Sequence, residues 1–294
     1  MADFSPEAIA DFWQAHPCGA HYVESDDWRT FFTEYDAHKY RHEPHIPIEI
    51  AKLGLRGQRV LEIGLGQGAE AAKIIAAGAR YTGVDLTDES VARVRLRCEL
   101  FGLPYEAIQQ ANAEALPFPD ASFDVVFSHG VIHHSPRIAS IVSEIHRVLK
   151  PGGRAVVMVY HRNSLNYRIS IALVRRAGIF MLWVPGFDRL VSRATGEPLE
   201  RLRRHRANLG REGLGYLRMR TFIHRATDGP DNVFSTLFSR TEGARLFRRF
   251  SSVATIVRLI NERHFPGLRL LVPSGVRTWL ASRYGWHLWI VAVK

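Results

Sequence analysis

The chain has 294 residues, 46% hydrophobic and 23% charged, enough to bury one full α/β core with an inserted subdomain. Two cysteines, Cys18 and Cys98, are too few for a disulfide framework or a cysteine-built metal site, so a reducing, cytoplasmic setting and no metal are expected. The net charge of +10 is divided unevenly: residues 1–150 carry 14 Lys and Arg against 21 Asp and Glu, a net of −7, and residues 151–294 carry 25 against 8, a net of +17.

The N-terminus, MADFSPEAIADFW, is acidic and lacks the basic region that would precede a signal peptide's apolar run. An aromatic-rich segment follows, with Phe12, Trp13, Tyr22, Trp28, Phe31, Phe32, Tyr35 and Tyr40. From Arg59 the chain alternates strands with helices. Strands are expected at Arg59–Ile63, Arg80–Leu86, Glu106–Gln110, Phe123–Ser128 and Arg154–Tyr160. Helices are expected over Gln67–Ala77, from a Thr87 cap to the stop at Gly102, and over Ile138–Leu149. Strands separated by helices imply parallel pairing through right-handed crossovers, hence a doubly wound sheet.

After Tyr160 the rhythm breaks into an Arg-rich stretch, 161–238. Its longest apolar run, Ile169–Val184, is interrupted by Arg175 and Arg176 and falls short of the roughly 18 residues of a membrane span. Ser239 with Glu242 three residues later is a capping-box signature opening the helix TEGARLFRRF. Ser252–Ile260 and His287–Val293 read as two final strands. The reading is one domain in three parts: a cap segment, 1–54; a core, 55–160 with 239–294; and an inserted lid or acceptor subdomain, 161–238. The basic C-terminal half suits an anionic partner, such as nucleic acid, a phospholipid surface or an acidic substrate, or else a solvated basic face.

The stretch VLEIGLGQGAE, Val60–Glu70, places Gly64, Gly66 and Gly68 between a strand and a helix. Glycine there lets a ligand approach main-chain N–H groups without a Cβ in the way. With Ala69 the stretch satisfies G-x-G-x-x-G/A, so a dinucleotide, a sulfonium nucleoside and an unliganded tight turn all remain open. A nucleoside triphosphate loop is excluded, because no Gly-Lys-Ser/Thr follows. Asp85, 21 residues past Gly64, ends the second strand where a carboxylate would take ribose hydroxyls. Glu62, Asp85, Asn112 and Ser128 sit at or near four strand tips and supply oxygen acceptors. A pyrophosphate would favour donors and positive charge, so a sulfonium nucleoside fits better.

Two further stretches, QANAEALPFPDASFDVVFSHGVIHH at Gln110–His134 and EIHRVLKPGG at Glu144–Gly153, complete a set of four motifs. In these the chain resembles the class I S-adenosylmethionine-dependent methyltransferases, in the small-molecule branch that includes quinone methyltransferases, closely over residues 55–160. The resemblance implies a Rossmann-like seven-stranded sheet, mostly parallel with the last strand antiparallel, an N-terminal helical lid and an insertion after the fifth strand. It implies that Glu62, Gly64, Gly66 and Gly68 line the methionine side of S-adenosylmethionine. Asp85 would take the ribose hydroxyls and Leu86 would lie against the adenine. Asn112 and Ala113 stand where the family has Asp-Ala to hold the adenine amine and ring; Asn can still accept from the amine but carries no charge. Ser128 would help hold the methionine moiety, and Tyr40 would close over it from the lid. RVLKPGG is expected to be a structural turn into strand five.

His129, His133 and His134 cluster after strand four, where a histidine could deprotonate a hydroxyl, phenol or thiol acceptor. His133 and His134 as a metal pair are rejected, since adjacent helical residues do not face one site. The insertion is expected to roof the acceptor site. The expected function is methyl transfer to a small lipophilic or anionic acceptor, leaving S-adenosylhomocysteine, by a cytoplasmic protein able to sit at a membrane surface. Two alternatives stand beside it: a nucleic-acid methyltransferase, which the FSHG strand end argues against, and a non-catalytic S-adenosylmethionine-binding protein.

Overall fold

The computed structural model describes residues 4–260, 265 and 267–294. Its centre is β1 (Arg59–Ile63), hydrogen-bonded in parallel to β2 (Arg80–Asp85) on one side and β4 (Phe123–His129) on the other. Beyond β2 lies β3 (Ala107–Gln110), and beyond β4 lies β5 (Leu149–Tyr160). The sheet is completed by β7 (His287–Val293), antiparallel to both β5 and the edge strand β6 (Ser252–Arg258). The order is β3-β2-β1-β4-β5-β7-β6, with β7 the antiparallel member, as the resemblance implies.

Alternation along the strands divides the core between the two faces of this sheet. Leu61, Val126 and Val157 join Ile145, Phe247 and Ile290 on one face. Val60, Phe127 and Met158 join Ile74, Val94 and Trp289 on the other. Both faces are dry, which is why the central strands read as nearly unbroken apolar runs. The crossovers are α4 (Ala69–Ala76), α5 (Asp88–Phe101) and α6 (Ile138–Val148). Thr87 caps α5 by accepting from the Ser90 N–H, and Gly102 ends it in the left-handed region at φ 62°.

Three local departures from expectation have physical causes. Strand β5 begins at Leu149 rather than Arg154, because Leu149 pairs with Phe123 and the Lys150–Gly153 turn is absorbed as a register shift before Arg154 meets Val125. The capping box at Ser239 and Glu242 is present, but α11 (Arg240–Leu246) stops early, and Phe247 and Phe250 turn into the core. Two helices, the short α12 (Leu268–Leu271) and α13 (Ser274–Tyr284), precede β7 unannounced; α13 has no fully buried residue, so no apolar periodicity marked it.

Ahead of the sheet lie α1 (Pro6–Ala15), α2 (Trp28–His42) and α3 (His45–Ala51). After β5 the chain forms a π-helix (Asn166–Arg175) running into α7 (Arg176–Met181), then α8 (Phe187–Thr195), α9 (Leu199–Glu212) and α10 (Met219–Thr227). These helices gather round their own core of Ile171, Leu182, Leu209, Tyr216 and Phe222. His205 is buried there, hydrogen-bonded through Nδ1 to the Tyr216 hydroxyl at 2.7 Å.

Burial pushes the His205 pKa down from 6.5 to about 3, with Arg201 adding to the effect. The unfolded chain therefore takes up a proton there that the folded chain refuses. The contribution is complete above pH 6.5 and is lost as pH falls towards 3, at up to about 1.4 kcal/mol per pH unit. His205→Gln is expected to shrink the drop in Tm between pH 7 and pH 5 relative to the unmodified protein, measured by thermal melts at both values.

Candidate functional site

The strand order reverses at β1 and β4, and a crevice of about 1110 Å³, part of it open to solvent, lies at their carboxyl ends. The three glycines have φ of +82°, +50° and +74°, a region that only glycine enters cheaply. Each does a different job. A Cβ on Gly64 would lie 2.2 Å from Val131 Cγ2, so this position lets the loop after β4 close on the loop after β1. At Gly66 the nearest atom to an added Cβ is Cys18 Cβ at 4.0 Å, which leaves that backbone open to the crevice. Gly68 lies against Val94 and Arg97 and lets α5 pack. Gly64 and Gly66 line the crevice; Gly68 does not.

At one end of the crevice stand Asp85, Leu86, Asn112 and Ala113. The Asp85 carboxylate accepts from the Leu65 N–H at 2.7 Å and from the Thr87 N–H and hydroxyl at 2.9 and 2.8 Å. It thus ties the glycine loop to the start of α5, and about one of its four acceptor positions remains for a ligand. Burial raises its pKa, against the pull of those donors. Asn112 Oδ1 accepts from the Glu114 N–H at 2.9 Å, a local turn that fixes the amide beside Ala113.

At the other end, Lys39 from α2 and Glu70 from α4 form an ion pair at 2.7 Å, largely out of solvent. Tyr35, Cys18, Gln67 and His129 complete this wall. Burial opposes the Lys39 charge, yet Glu70, seconded by Tyr35 and Glu43, holds its pKa well above the usual lysine value. The same burial lowers the His129 pKa well below 6.5, Lys39 adding to the effect. Gln67 Nε2 and His129 Nε2 are buried without a hydrogen-bond partner. This end therefore offers an ammonium and an amide to a carboxylate, and a carboxylate to an ammonium. The far end offers acceptors to hydroxyls and an amine, with apolar side chains for a ring. None of Lys39, Glu70, Cys18 or Gln67 is singled out by the sequence as a site residue, and Tyr35 only as one ring of the N-terminal aromatic segment. The available signal was the i, i+4 spacing of Tyr35 and Lys39, which puts a phenol and an ammonium on one helical face.

Five expected site residues lie away from the crevice wall. Glu62, 2% exposed, turns to the opposite side and accepts from the Tyr81 hydroxyl at 2.5 Å; burial and then Glu70 push its pKa well above the carboxylate range. Ser128 is wholly buried and donates to the Ile63 carbonyl at 2.9 Å, tying β4 to β1. Tyr40 packs into the core with the Lys73 ammonium 5.2 Å from its ring, because it stands one helical step past the face that holds Tyr35 and Lys39. His133 is fully buried against Tyr160, ring centres 4.0 Å apart, and burial drives its pKa well down. Gly68 is the fifth. His129 and His134 do line the crevice.

The cover over the crevice also differs from expectation. It comes from α1, through Pro6, Ile9 and Trp13, and no residue of 161–238 lines the space. The insertion touches the site from behind instead. Phe234 O accepts from His134 Nδ1 at 2.8 Å, and the Thr236 N–H donates to His133 O at 3.0 Å. Asp228 accepts from the Tyr160 hydroxyl at 2.9 Å and approaches His134 Nε2 at 3.7 Å. Trp13 presents its edge to His134, ring centres 4.9 Å apart.

Residues 61–157 match the family model described as a methyltransferase domain. The chain is similar to a sterol 24-C-methyltransferase of Gibberella zeae, 37% identical over 116 residues, 38% of this chain and 30% of that one. It is similar to a fatty-acid O-methyltransferase of Mycolicibacterium smegmatis, 38% identical over 105 residues, 35% of this chain and 37% of that one. A phosphatidylethanolamine N-methyltransferase of Cereibacter sphaeroides is 36% identical over 109 residues, 37% of this chain and 53% of that one. The match thus spans between about a third and a half of these relatives' lengths. In architecture the chain is similar to the [4+2]-cyclase SpnF, with a TM-score of 0.54, 15% identity and coverage of 100% of this chain and 97% of that one. A shared architecture with a protein named for cyclisation means that the fold alone does not set the chemistry.

Gly64→Ala is expected to cost about 1–3 kcal/mol in stability, from its φ and from the clash with Val131. Adding Val131→Ala is expected to restore only the clash, so urea midpoints of the double variant should stay below those of Val131→Ala alone.

Proposed function

The chain carries a class I S-adenosylmethionine-dependent methyltransferase domain, and on that premise we propose that it methylates a small lipophilic acceptor held beside the His129–His134 turn. The observation that carries this reading is the donor set of one crevice: Lys39 and Glu70 at one end, Asp85 and Asn112 at the other. S-adenosylmethionine has an ammonium and a carboxylate on one arm, and two hydroxyls and an aromatic amine on the other. The residues present fit it at both ends.

Lys39 and Gln67 would take the carboxylate, and Glu70 the ammonium. Asp85 would use its remaining acceptor position for a ribose hydroxyl, and Asn112 would accept from the adenine amine, with Leu86 and Ala113 against the ring. When bound, the cofactor supplies a methyl group on sulfur with a good leaving group already attached. The protein's part is alignment and exclusion of water. Trp13 and Ile9 supply the dry cover, and Gly66 lets the backbone lie close. His134 is the histidine best placed to accept a proton from a hydroxyl acceptor, since it lines the crevice and its Nδ1 is anchored on Phe234 O. Burial and Lys39 hold the His129 pKa well below the usual histidine range, so it would serve as a neutral wall.

A lipophilic acceptor is supported by the apolar cover and by the relatives named for sterol, fatty-acid and phosphatidylethanolamine methylation. Such molecules partition into membranes, so contact of the basic C-terminal half with a membrane surface belongs to the same reading.

Two measurements test it. Asp85→Ala is expected to weaken S-adenosylmethionine binding at least tenfold by calorimetry, since a charge-assisted hydrogen bond and the tie to Leu65 are both lost. A screen of fatty acids, phenols, quinols and lipid amines for S-adenosylhomocysteine release, with and without vesicles, should yield turnover. A crevice that binds nicotinamide dinucleotide and not S-adenosylmethionine overturns the assignment.

A further inference from the structure

The insertion has one more apolar face than its fold uses. The π-helix and α7 pack inward through Ile171, Ile179 and Leu182. The following turn and the opposite side of the same helices turn Leu173, Val174, Phe180, Met181, Trp183 and Val184 outward, each between 40% and 64% exposed. Single exposed apolar residues are ordinary; six within twelve positions are not. Arg176, Arg189 and Arg193 are exposed alongside, and the sole carboxylate between 161 and 196, Asp188, is buried.

The π-helix that carries Leu173 and Val174 also brings Arg168 to a concavity of about 760 Å³, lined by Arg168, Arg240 and Arg283 with His161, Ser239 and Tyr284. Three elements meet there: the π-helix brings Arg168, α11 brings Arg240 and α13 brings Arg283. Arg168 donates to Asn163 Oδ1 at 3.0 Å and Arg240 to Ser282 O at 2.7 Å, both neutral acceptors. None of the three is ion-paired to a carboxylate among the described residues. Like charges held together without a counter-charge repel, so the concavity is suited to an anion. The α13 side repeats the pattern of the first face, with Trp279 55% exposed and Leu270 and Leu271 90% and 82% exposed before it. Residues 267–285 contain no Asp or Glu.

We propose that this face docks on an anionic phospholipid bilayer, a lipid phosphate seated among Arg168, Arg240 and Arg283 and the side chains of Leu173–Val184 sunk to the acyl boundary. Tryptophan and arginine beside exposed aliphatic residues are the composition of a helix lying in the interface plane. Crossing is not involved, because no helix among the described residues is long and apolar enough to span. Nucleic acid would satisfy the arginines and leave six apolar side chains in water; a bilayer satisfies both. The docking deepens the membrane-surface contact proposed above and rests on it, yet it needs no methyl transfer.

Vesicle sedimentation of the full chain tests it, comparing phosphatidylcholine alone with phosphatidylcholine doped with phosphatidylglycerol. The protein should pellet with the doped vesicles at low salt and lose that affinity as salt rises. Arg168→Glu with Arg283→Glu, and separately Leu173→Asp with Val174→Asp, should each weaken pelleting at least tenfold. S-adenosylmethionine affinity and the circular dichroism spectrum should be unchanged, which separates lost docking from lost folding. Equal pelleting with both vesicles, no pelleting of the folded protein, or an oligoribonucleotide bound more tightly than the doped vesicles overturns the proposal. The assay contains no methyl donor. A protein that docks but releases no S-adenosylhomocysteine overturns the methylation reading alone, and one that methylates without docking overturns this one alone.

Discussion

The pairing of β1 with a parallel neighbour on each side is the constraint from which the site follows. Parallel strands point their carboxyl ends the same way, so the loops after β1, β2, β3 and β4 emerge on one edge of the sheet. The chain moves outward from β1 to β3 on one side and then crosses to β4 on the other. At that reversal no crossover helix fills the space over the strand tips, and the crevice lies there beneath α1. Gly64 makes the gap narrow, since the β4 loop reaches the β1 loop only where a Cβ is missing. Asp85 then holds the glycine loop in place through Leu65, so that main-chain groups face inward without a ligand to arrange them.

Charge is handled unequally at the two ends. Asp85 is surrounded by backbone and hydroxyl donors, which neutralise it locally. Lys39 and Glu70 rely on each other in a largely dry place, an arrangement that is costly to assemble and more costly to break by removing one partner. Stability is a poor reason to retain such a pair. The proposed zwitterionic ligand would give it a purpose, because each member would meet its opposite there. Glu43, raised to about 7 chiefly by burial, stands behind Lys39 and belongs to the same buried set.

Much of this was legible from residues alone, and the boundary is instructive. The five parallel strands, the Thr87 and Gly102 helix limits and the Ser239 capping box depend on neighbours within four positions, and local patterns report them. Placement on the crevice wall was legible where a polar residue stands at a strand tip, as at Asp85 and Asn112. That placement was not legible where helical phase decides: Tyr40 and Lys39 are adjacent in sequence but about 100° apart round α2, and only Lys39 lines the crevice. His133 and His134 part for the same kind of reason, one stacked on Tyr160 and the other on the wall. Glu70 was passed over although it follows the glycines directly, because its meaning comes from Lys39, 31 positions earlier. α13 buries no residue, so its periodicity points nowhere inside the fold, and the π-helix pairs the buried Ile171 with Leu173 and Val174 turned outward, which blurs its pattern.

The α1 cover has a kinetic side. This ten-residue helix is held at one end by the Ser5 cap and by Phe4 against Phe234, and at the other by the Gln14 side chain on the Glu89 N–H. A helix so short has little persistence once it leaves its seat. Spent nucleoside departing past Trp13 would have to lift it, and the next molecule would enter before it settled. The pace of the proposed cycle would therefore be tied to how readily α1, seated by Ile9 and Phe12 as well as by its two ends, leaves its place over the crevice.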